Sequence, residues 1–383
     1  MHAADQMDPS PLRSPAKVLA HPMRAIVHAR YGTPDVLTYE EVERPVPGDE
    51  DVLVRVRAAG VSVGDHHIVT GKPYLIRLTP YGGLPRPRNV VPGACMAGRV
   101  EAVGAKVTAF RPGDEVFGDA AGAFAEYLVV PARMIALKPT NLSFEDAAAV
   151  PWAAAALQGL RDAGGLQPGQ KVLINGASGG VGTWAVQIAK ALGAHVTAVC
   201  STGNVEMVRA LGADEVIDYT KADFVEGGAR FDLMLDTVGN RSLSDCRSVV
   251  VGKGTFVSCA GGGSATRWLF RMAQARLASL FTSQKLVTLA TSPNQKDLLF
   301  MKELVEAGKV KPVIERSYAL YEVANVPEGV GDTPGGRSSS GSPASGARRS
   351  LRPRAPPARG YAAASGSARG RTSISSVPPR IAA

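Results

Sequence analysis

Apolar and polar residues alternate with period two from Asp51 to Arg57 and again from Gly98 to Gly104, the pattern of strands with one buried face. With the apolar start at Met23–Val27 and the turn-plus-strand at Arg111–Gly118, they predict a small, mostly β unit over residues 23–148. After Asn141 the pattern changes. Residues 144–161 are alanine-rich and helical in spacing, with Ser143 as N-cap, Glu145 and Asp146 in the first turn, and Pro151 dividing the run. Strands at 171–175, 194–199, 215–218, 231–236 and 254–259 then alternate with helices at 182–192 and 205–211. That alternation predicts a parallel sheet covered on both faces. Residues 265–280 carry an amphipathic stripe that predicts a core-facing helix.

The pattern is absent at both ends. Residues 1–22 are polar and proline-dotted, which predicts a disordered leader with Met23 as an alternative start. From 327 to 383 there is no Phe, Trp, Met or Cys, and Gly, Ser, Pro, Ala and Arg dominate. Such a segment buries too little apolar surface to fold, so a disordered tail is expected. It reads like GC-rich coding sequence translated out of frame, consistent with a frameshift near Val326. The expected organisation is therefore a leader (1–22), a β-rich domain (23–148), a cofactor domain (149–290), a return segment (291–326) and a tail (327–383).

Length and composition then narrow the classes. A chain of 383 residues exceeds one ordinary core, and 45% apolar with 20% charged residues excludes wholesale disorder. The net charge of +9 invites a nucleic-acid reading, but nine arginines against two acids in 327–383 supply most of it. The basicity thus belongs to the tail and not to a folded face, so no specific nucleic-acid partner is expected. Cys95, Cys200, Cys246 and Cys259 are widely spaced, which argues against a disulfide framework or a zinc clamp and favours a reduced, cytoplasmic setting. No membrane span is expected, because the longest uncharged stretch, Val172–Ala189, is interrupted by glycines, Asn175, Ser178 and Gln187.

The chemistry concentrates at one turn. Gly176, Gly179 and Gly182 lie at the junction of an apolar strand and an amphipathic helix, with a second strand following. Glycine there permits positive φ and lets a diphosphate approach the backbone, while the helix N-terminus supplies amides and partial positive charge. Thr183 follows without a lysine, which argues against a mononucleotide P-loop. Dinucleotide sites that prefer NAD place an acid at the end of the second strand to bind the ribose hydroxyls. Here Ser201 and Thr202 stand there, with no acid until Glu206, which favours NADP(H) while leaving NAD(H) possible.

These motifs, in their order, resemble the medium-chain dehydrogenase/reductase superfamily in its zinc-independent, quinone oxidoreductase-like branch. The resemblance runs from residue 23 to about 326. It includes Tyr31–Asp35, Pro92–Gly93, Ala97–Gly104, Pro112–Gly118, Gly122–Tyr127, Gly176–Gly182, Leu211–Tyr219 and Asp236–Gly239. It implies an α/β fold, with a GroES-like, mostly β catalytic domain and a doubly wound Rossmann domain, usually assembled as a homodimer. It also implies that Gly176, Ala177, Ser178, Gly179, Gly180, Val181 and Gly182 hold the diphosphate. Ser201 and Thr202 would meet the 2′-phosphate and Tyr219 the adenosine. Val238, Gly239, Cys259, Ala260 and Gly261 would line the route to the nicotinamide.

Zinc-dependent relatives carry a Cys near position 62 and a His near 94, where this chain has Ser62 and Ala94, so no metal site is expected. A bound nicotinamide would supply the hydride and a positioned acid the proton. His67 stands where relatives carry a tyrosine, with Asp65 or His66 able to orient it; Tyr74 is a second catalytic candidate and Tyr81 a weaker one. Cys95 replaces the family's usual Asp, and Gly203-Asn204 replace a basic residue, with Arg209 one turn along. A threonine that relatives place near the nicotinamide is absent from residues 151–158. The family's closing strand is missing from its usual place after Asn325, which predicts an open sheet edge. The expected activity is hydride reduction of a quinone- or enone-type small molecule. The alternatives are an alcohol or aldehyde oxidoreductase, a catalytically impaired nucleotide-binding protein, or a nucleic-acid binder acting through its tail.

Overall fold

A computed structural model describes residues 20–79, 81–259, 273–325 and 380–382. The alternating run centred on Val52, Val54 and Val56 becomes the long strand β3 (Asp51–Gly60), which organises the β-rich part. Before it, β1 (Pro22–Val27) and β2 (Thr38–Glu43) form an antiparallel ribbon. After it, β4 (Cys95–Val103), β5 (Glu115–Asp119), β6 (Tyr127–Pro131) and β7 (Ile135–Leu137) build an antiparallel sheet, with β4 and β6 flanking β3. Val52, Val54, Met96, Val100, Val116 and Ile135 are buried on its inner side. Helix α1 (Val63–Thr70) leaves the end of β3 under the cap of Ser62, which accepts from Gly64 N while Asp65 accepts from Ser62 N.

The alanine-rich run folds as α2 (Phe144–Ala149), a 3₁₀ turn at Val150–Trp152, α3 (Ala153–Leu157) and a π turn at Gln158–Ala163. Pro151, which has no amide to donate, sits at the break. Its small side chains let the run pack closely into the main core, where Ala147, Ala148, Ala153 and Ala156 are fully buried.

The parallel sheet consists of β8 (Lys171–Asn175), β9 (His195–Cys200), β10 (Glu215–Asp218), β11 (Phe231–Asp236), β12 (Val250–Ser258) and β13 (Lys285–Thr288), in the order β10-β9-β8-β11-β12-β13. Helices α4 (Gly180–Ala191), α5 (Val205–Ala210) and α6 (Leu243–Ser248) connect its strands. The observed bounds differ from expectation mainly at β12, which starts at Val250 because Phe231 pairs with it across an irregularity. Of the helix expected at 265–280, residues 265–272 lie outside the described residues and 273–278 are helical. Helix α7 (Gln295–Glu306) then ties the two parts together. Gln295 donates to the Ile135 carbonyl at 2.6 Å, and buried Asp297 accepts from Gln158 (2.7 Å), Arg161 (2.6 Å) and Asn294 (2.8 Å).

The expected open edge needs correction. Strand β15 (Arg380–Ala382), from within the segment expected to be disordered, lies parallel to β3 at Ala58–Gly60 and antiparallel to β14 (Ser317–Ala319). Backbone pairing needs little from side-chain composition, so three residues can cap an exposed ladder whatever the composition of their neighbours. Removing residues 380–383 is expected to raise hydrogen exchange at the Ala58–Gly60 amides and lower the melting temperature by several degrees. Unchanged protection at those amides would show that the strand contributes nothing.

His28 is buried to 1% exposure, with neither ring nitrogen hydrogen-bonded and the Tyr31 ring edge-on at 6.4 Å. Burial lowers its pKa from 6.5, outweighing the opposing effect of the Asn89 and Arg30 backbone. The folded chain thus holds neutral imidazole, and below about pH 6.5 the unfolded chain takes up the extra proton. Its stabilising effect is complete above that pH and declines as pH falls toward the lowered value. Denaturation midpoints at pH 7.5 and 5.5 should show a larger loss for the wild type than for His28→Gln.

Candidate functional site

The strands run parallel, so the carboxyl ends of β8 through β12 share one edge, and the strand order switches direction between β8 and β11, where open α/β sheets form their ligand crevice. At the end of β8, Gly176 takes φ +86°, and a side-chain carbon there would lie 2.4 Å from Thr237 Oγ1 and 2.5 Å from Val238. Gly182 packs so closely that an added carbon would fall 2.0 Å from the Gly176 carbonyl oxygen. The turn between them is pinned by Gly176 N and Ala177 N donating to the Val199 carbonyl at 3.2 and 3.0 Å. Gly179 is the N-cap of the twelve-residue α4 and offers no side-chain cap, and a carbon on Gly180 would meet nothing within 4 Å. A bare cradle, an uncapped helix start and open space in front of it fit a dinucleotide diphosphate.

Beneath this turn, Asn175 donates to Asp236 (2.9 Å) and Asn240 (3.1 Å), while Asp236 also accepts from the Val238 and Gly239 amides at 3.2 and 3.0 Å. These bonds fix the end of β11, and Val238, 47% exposed, stands beside the cradle. Cys259 N donates to the Asp236 carbonyl, which places Cys259 at the same end; burial pushes its thiol up to about 12, so it acts as lining and not as a nucleophile. Ala260 and Gly261, expected on the same route, lie outside the described residues.

At the end of β9, Ser201 and Ser178 both accept from the Asn204 side chain, at 3.1 and 3.3 Å. This leaves both hydroxyl protons for an anion. Thr202 is committed differently, donating to Asp218 at 2.6 Å and lying 2.8 Å from Thr220. Asp218 also accepts from Thr220 N and Oγ1 and pairs with Lys221 at 3.2 Å; these donors, led by Thr202, hold its carboxyl far below the ordinary range. Of the two hydroxyls expected at a 2′-phosphate, Thr202 is thus engaged with the protein. Arg209, the substitute cation, pairs with Glu206 at 2.9 Å. Tyr219, half exposed, donates its amide to the Cys200 carbonyl and so flanks the same corner. Sequence reasoning missed Asn204 and Asp218. Register Asp218↔Cys200 was the only signal for the latter, and it exists only in the sheet.

The catalytic candidates sit on the β-rich part. His67 is half-buried on α1, its ring 6.0 Å from that of His66. Tyr74, 63% exposed in the 3₁₀ turn Tyr74–Leu78, stacks against Arg77 and is not gathered with the two acids of this part. Those acids are buried Asp65 and half-buried Asp119, the latter accepting a hydrogen bond from Tyr81 beside fully buried Cys95. Trp152 bridges the two parts: a carbon on Gly64 would meet its ring at 2.7 Å, while a carbon on Gly159, in the following π turn, would lie 3.4 Å from Cys259 Sγ. Ser62 is used as the cap of α1, and Ala94 has no ligating atom. No group of three or more His, Cys, Asp or Glu among the described residues is placed to hold a metal.

The cradle separates fold from binding experimentally. Gly182→Ala is expected to destabilise the protein by about 1–3 kcal/mol through the clash with the Gly176 carbonyl. Gly180→Ala should leave stability within about 0.5 kcal/mol while weakening dinucleotide binding, because its methyl enters the open space. Denaturation and fluorescence titration of both variants check this; equal effects on stability would contradict the assigned packing.

Comparison with known proteins agrees with this arrangement. Residues 48–140 match the alcohol dehydrogenase GroES-like domain, and residues 211–327 match the zinc-binding dehydrogenase family. A 2-methylene-furan-3-one reductase of Solanum lycopersicum is 34% identical over 76% of this chain and 71% of its own length. A chloroplast envelope quinone oxidoreductase homolog of Arabidopsis thaliana is 32% identical over 78% of this chain and 92% of its own. The solved quinone oxidoreductase from Coxiella burnetii superposes with TM-score 0.69 at 27% identity, covering 79% of this chain and 94% of that one. The chain belongs to the medium-chain dehydrogenase/reductase superfamily, in its quinone oxidoreductase-like branch, and is an NAD(P)H-dependent oxidoreductase.

Proposed function

We propose that the protein reduces the conjugated C=C or carbonyl of a quinone- or enone-type small molecule, preferring NADPH. The observation that carries the reading is the uncapped glycine cradle, with open space before Gly180, at the sheet end that also holds Cys259. A nicotinamide cofactor, when bound, supplies the hydride. The residues here hold it: the Gly176–Gly182 backbone takes the diphosphate, Tyr219 flanks the adenosine, and Val238, Gly239 and Cys259 line the way to the β-rich wall. His67, half-buried on α1, is the proposed substrate contact on that wall. The names of the Solanum and Arabidopsis relatives support the substrate class.

The cofactor preference rests on Ser201 and Ser178, whose free hydroxyl protons can donate to a 2′-phosphate. Asp218 acts against it by placing a carboxylate nearby, though Lys221 offsets that charge. Outer strand β13 ends the parallel sheet, and a homodimer through the cofactor domains would cover it. No helix among the described residues is long and apolar enough to cross a membrane, and the buried thiols suit a reducing compartment such as the cytoplasm.

Fluorescence titration with NADPH and NADH tests the reading. NADPH is expected to bind more tightly, and Ser201→Ala should weaken it about 3–10-fold with little effect on NADH, the loss of one hydrogen bond to phosphate. Equal losses for both cofactors would remove Ser201 from the 2′-phosphate, and tighter NADH binding would reverse the preference.

A further inference from the structure

Asp65 and Asp119 are an unusual pair. Asp65 is 3% exposed; its Oδ2 accepts from Ser62, and its Oδ1 has no hydrogen-bond partner. Asp119 stands opposite Cys95 across the β4–β5 pair and accepts from the Tyr81 hydroxyl. Neither has an ion-pair partner among the described residues, in contrast to buried Asp297, which has Arg161. A buried and a half-buried carboxylate without a cation among the described residues repel each other and lose hydration, so the pair lowers its charge by keeping a proton. Burial, aided by Asp119, lifts Asp65 to about 7 despite the opposing Ser62 bonds, and burial lifts Asp119 to about 6. Burial and Asp119 also drive the Tyr81 hydroxyl and the Cys95 thiol upward, so both stay protonated.

The cluster has two openings. Asp119 lines a cavity of about 10 Å³ shared with Asn294 and Asp297 of the α7 region, room for one water. Tyr81, half-buried, packs with Ile68, Ala94 and Trp152, on the wall that Trp152 joins to the Cys259 end of the cofactor sheet.

We propose that Tyr81 is the proton donor of the reduction and that Asp119 resupplies it, with Asp65 as the neighbouring acid that keeps the proton in the cluster. This rests on the reductase reading above. As hydride adds to the substrate carbon, negative charge gathers on the substrate oxygen. The Tyr81 O–H bond breaks and a substrate O–H bond forms; the Asp119 O–H bond breaks and the Tyr81 O–H bond reforms. Asp119 is left as carboxylate and is reprotonated by water through the cavity. The groups facing this route are Asp65 on α1, Cys95 on β4, Asp119 on β5 and, across the cavity, Asp297 with its partner Arg161.

The test uses the full chain and two readouts. Infrared spectra of the protein without cofactor near pH 6 should show a protonated carboxylic acid stretch that shifts in Tyr81→Phe and diminishes in Asp119→Asn. With NADPH and a simple enone or quinone, Tyr81→Phe should lower kcat about 100-fold, the usual worth of a general acid. NADPH affinity should stay within about twofold, since a uniform change in binding would mark a structural role. The wild-type kcat should fall as pH rises through neutrality, and the Tyr81→Phe variant should lose that dependence. Phe keeps the ring packing, and Asp119→Asn serves as the second variant. Unchanged kcat and pH profile in Tyr81→Phe, or absence of the acid stretch, overturns the relay while the reductase reading stands. No wild-type turnover of any enone or quinone overturns both.

Discussion

The contact between Gly182 and the Gly176 carbonyl is the constraint on which the cofactor half depends. It draws the start of α4 against the end of β8 more closely than any residue with a side chain allows. The same closeness aligns the uncapped amides of α4 with the crevice and places Val238 and Thr237 against the turn. Helix packing and anion binding therefore use one geometric feature. The α/β sheet behind it is a conventional buried one, with Val172, Leu173 and Ile174 fully enclosed.

A second theme is how buried charge is resolved in two opposite ways. Asp297 is surrounded by Arg161, Gln158 and Asn294, donors that hold its carboxyl below the ordinary range against burial, and it serves to fasten α7 to the helical run. Asp65 and Asp119 receive few donors and, among the described residues, no cation, so burial raises both above the ordinary carboxylate range. The first arrangement is a clamp, with its charge matched inside the fold. The second leaves two carboxyls with raised pKa values at the start of α1 and the end of β5, and such perturbed groups concentrate where chemistry occurs.

The two halves are joined through the run from Phe144 to Ala163. Its alanines allow close packing on both sides, Pro151 breaks it where direction must change, and Trp152 reaches across to α1. Gln295 and Asn141 add bonds from α7 and its neighbourhood, at 2.6 Å to the Ile135 carbonyl and 2.9 Å to the Val305 carbonyl. The site is thus assembled from elements distant in sequence, held by a few polar contacts around an apolar seam.

What the sequence determined by itself is local: the period-two strands, the glycine turn, the Ser143 cap and the break at Pro151, because each depends on backbone geometry and near neighbours. Motif order also carried the family and the two-domain fold. Tertiary structure alone decided the rest. The bond from Thr202 to Asp218 became visible only once β10 lay beside β9. The hydrogen bond from Tyr81 to Asp119 likewise appears only once β5 stands in the sheet. Strand β15 could not be read from an Arg- and Ser-rich segment, because an edge strand is selected by the ladder it completes and not by its own periodicity. Hydrogen bonds and desolvation act between residues far apart in the chain, so their partners become visible only once the sheets have set the register.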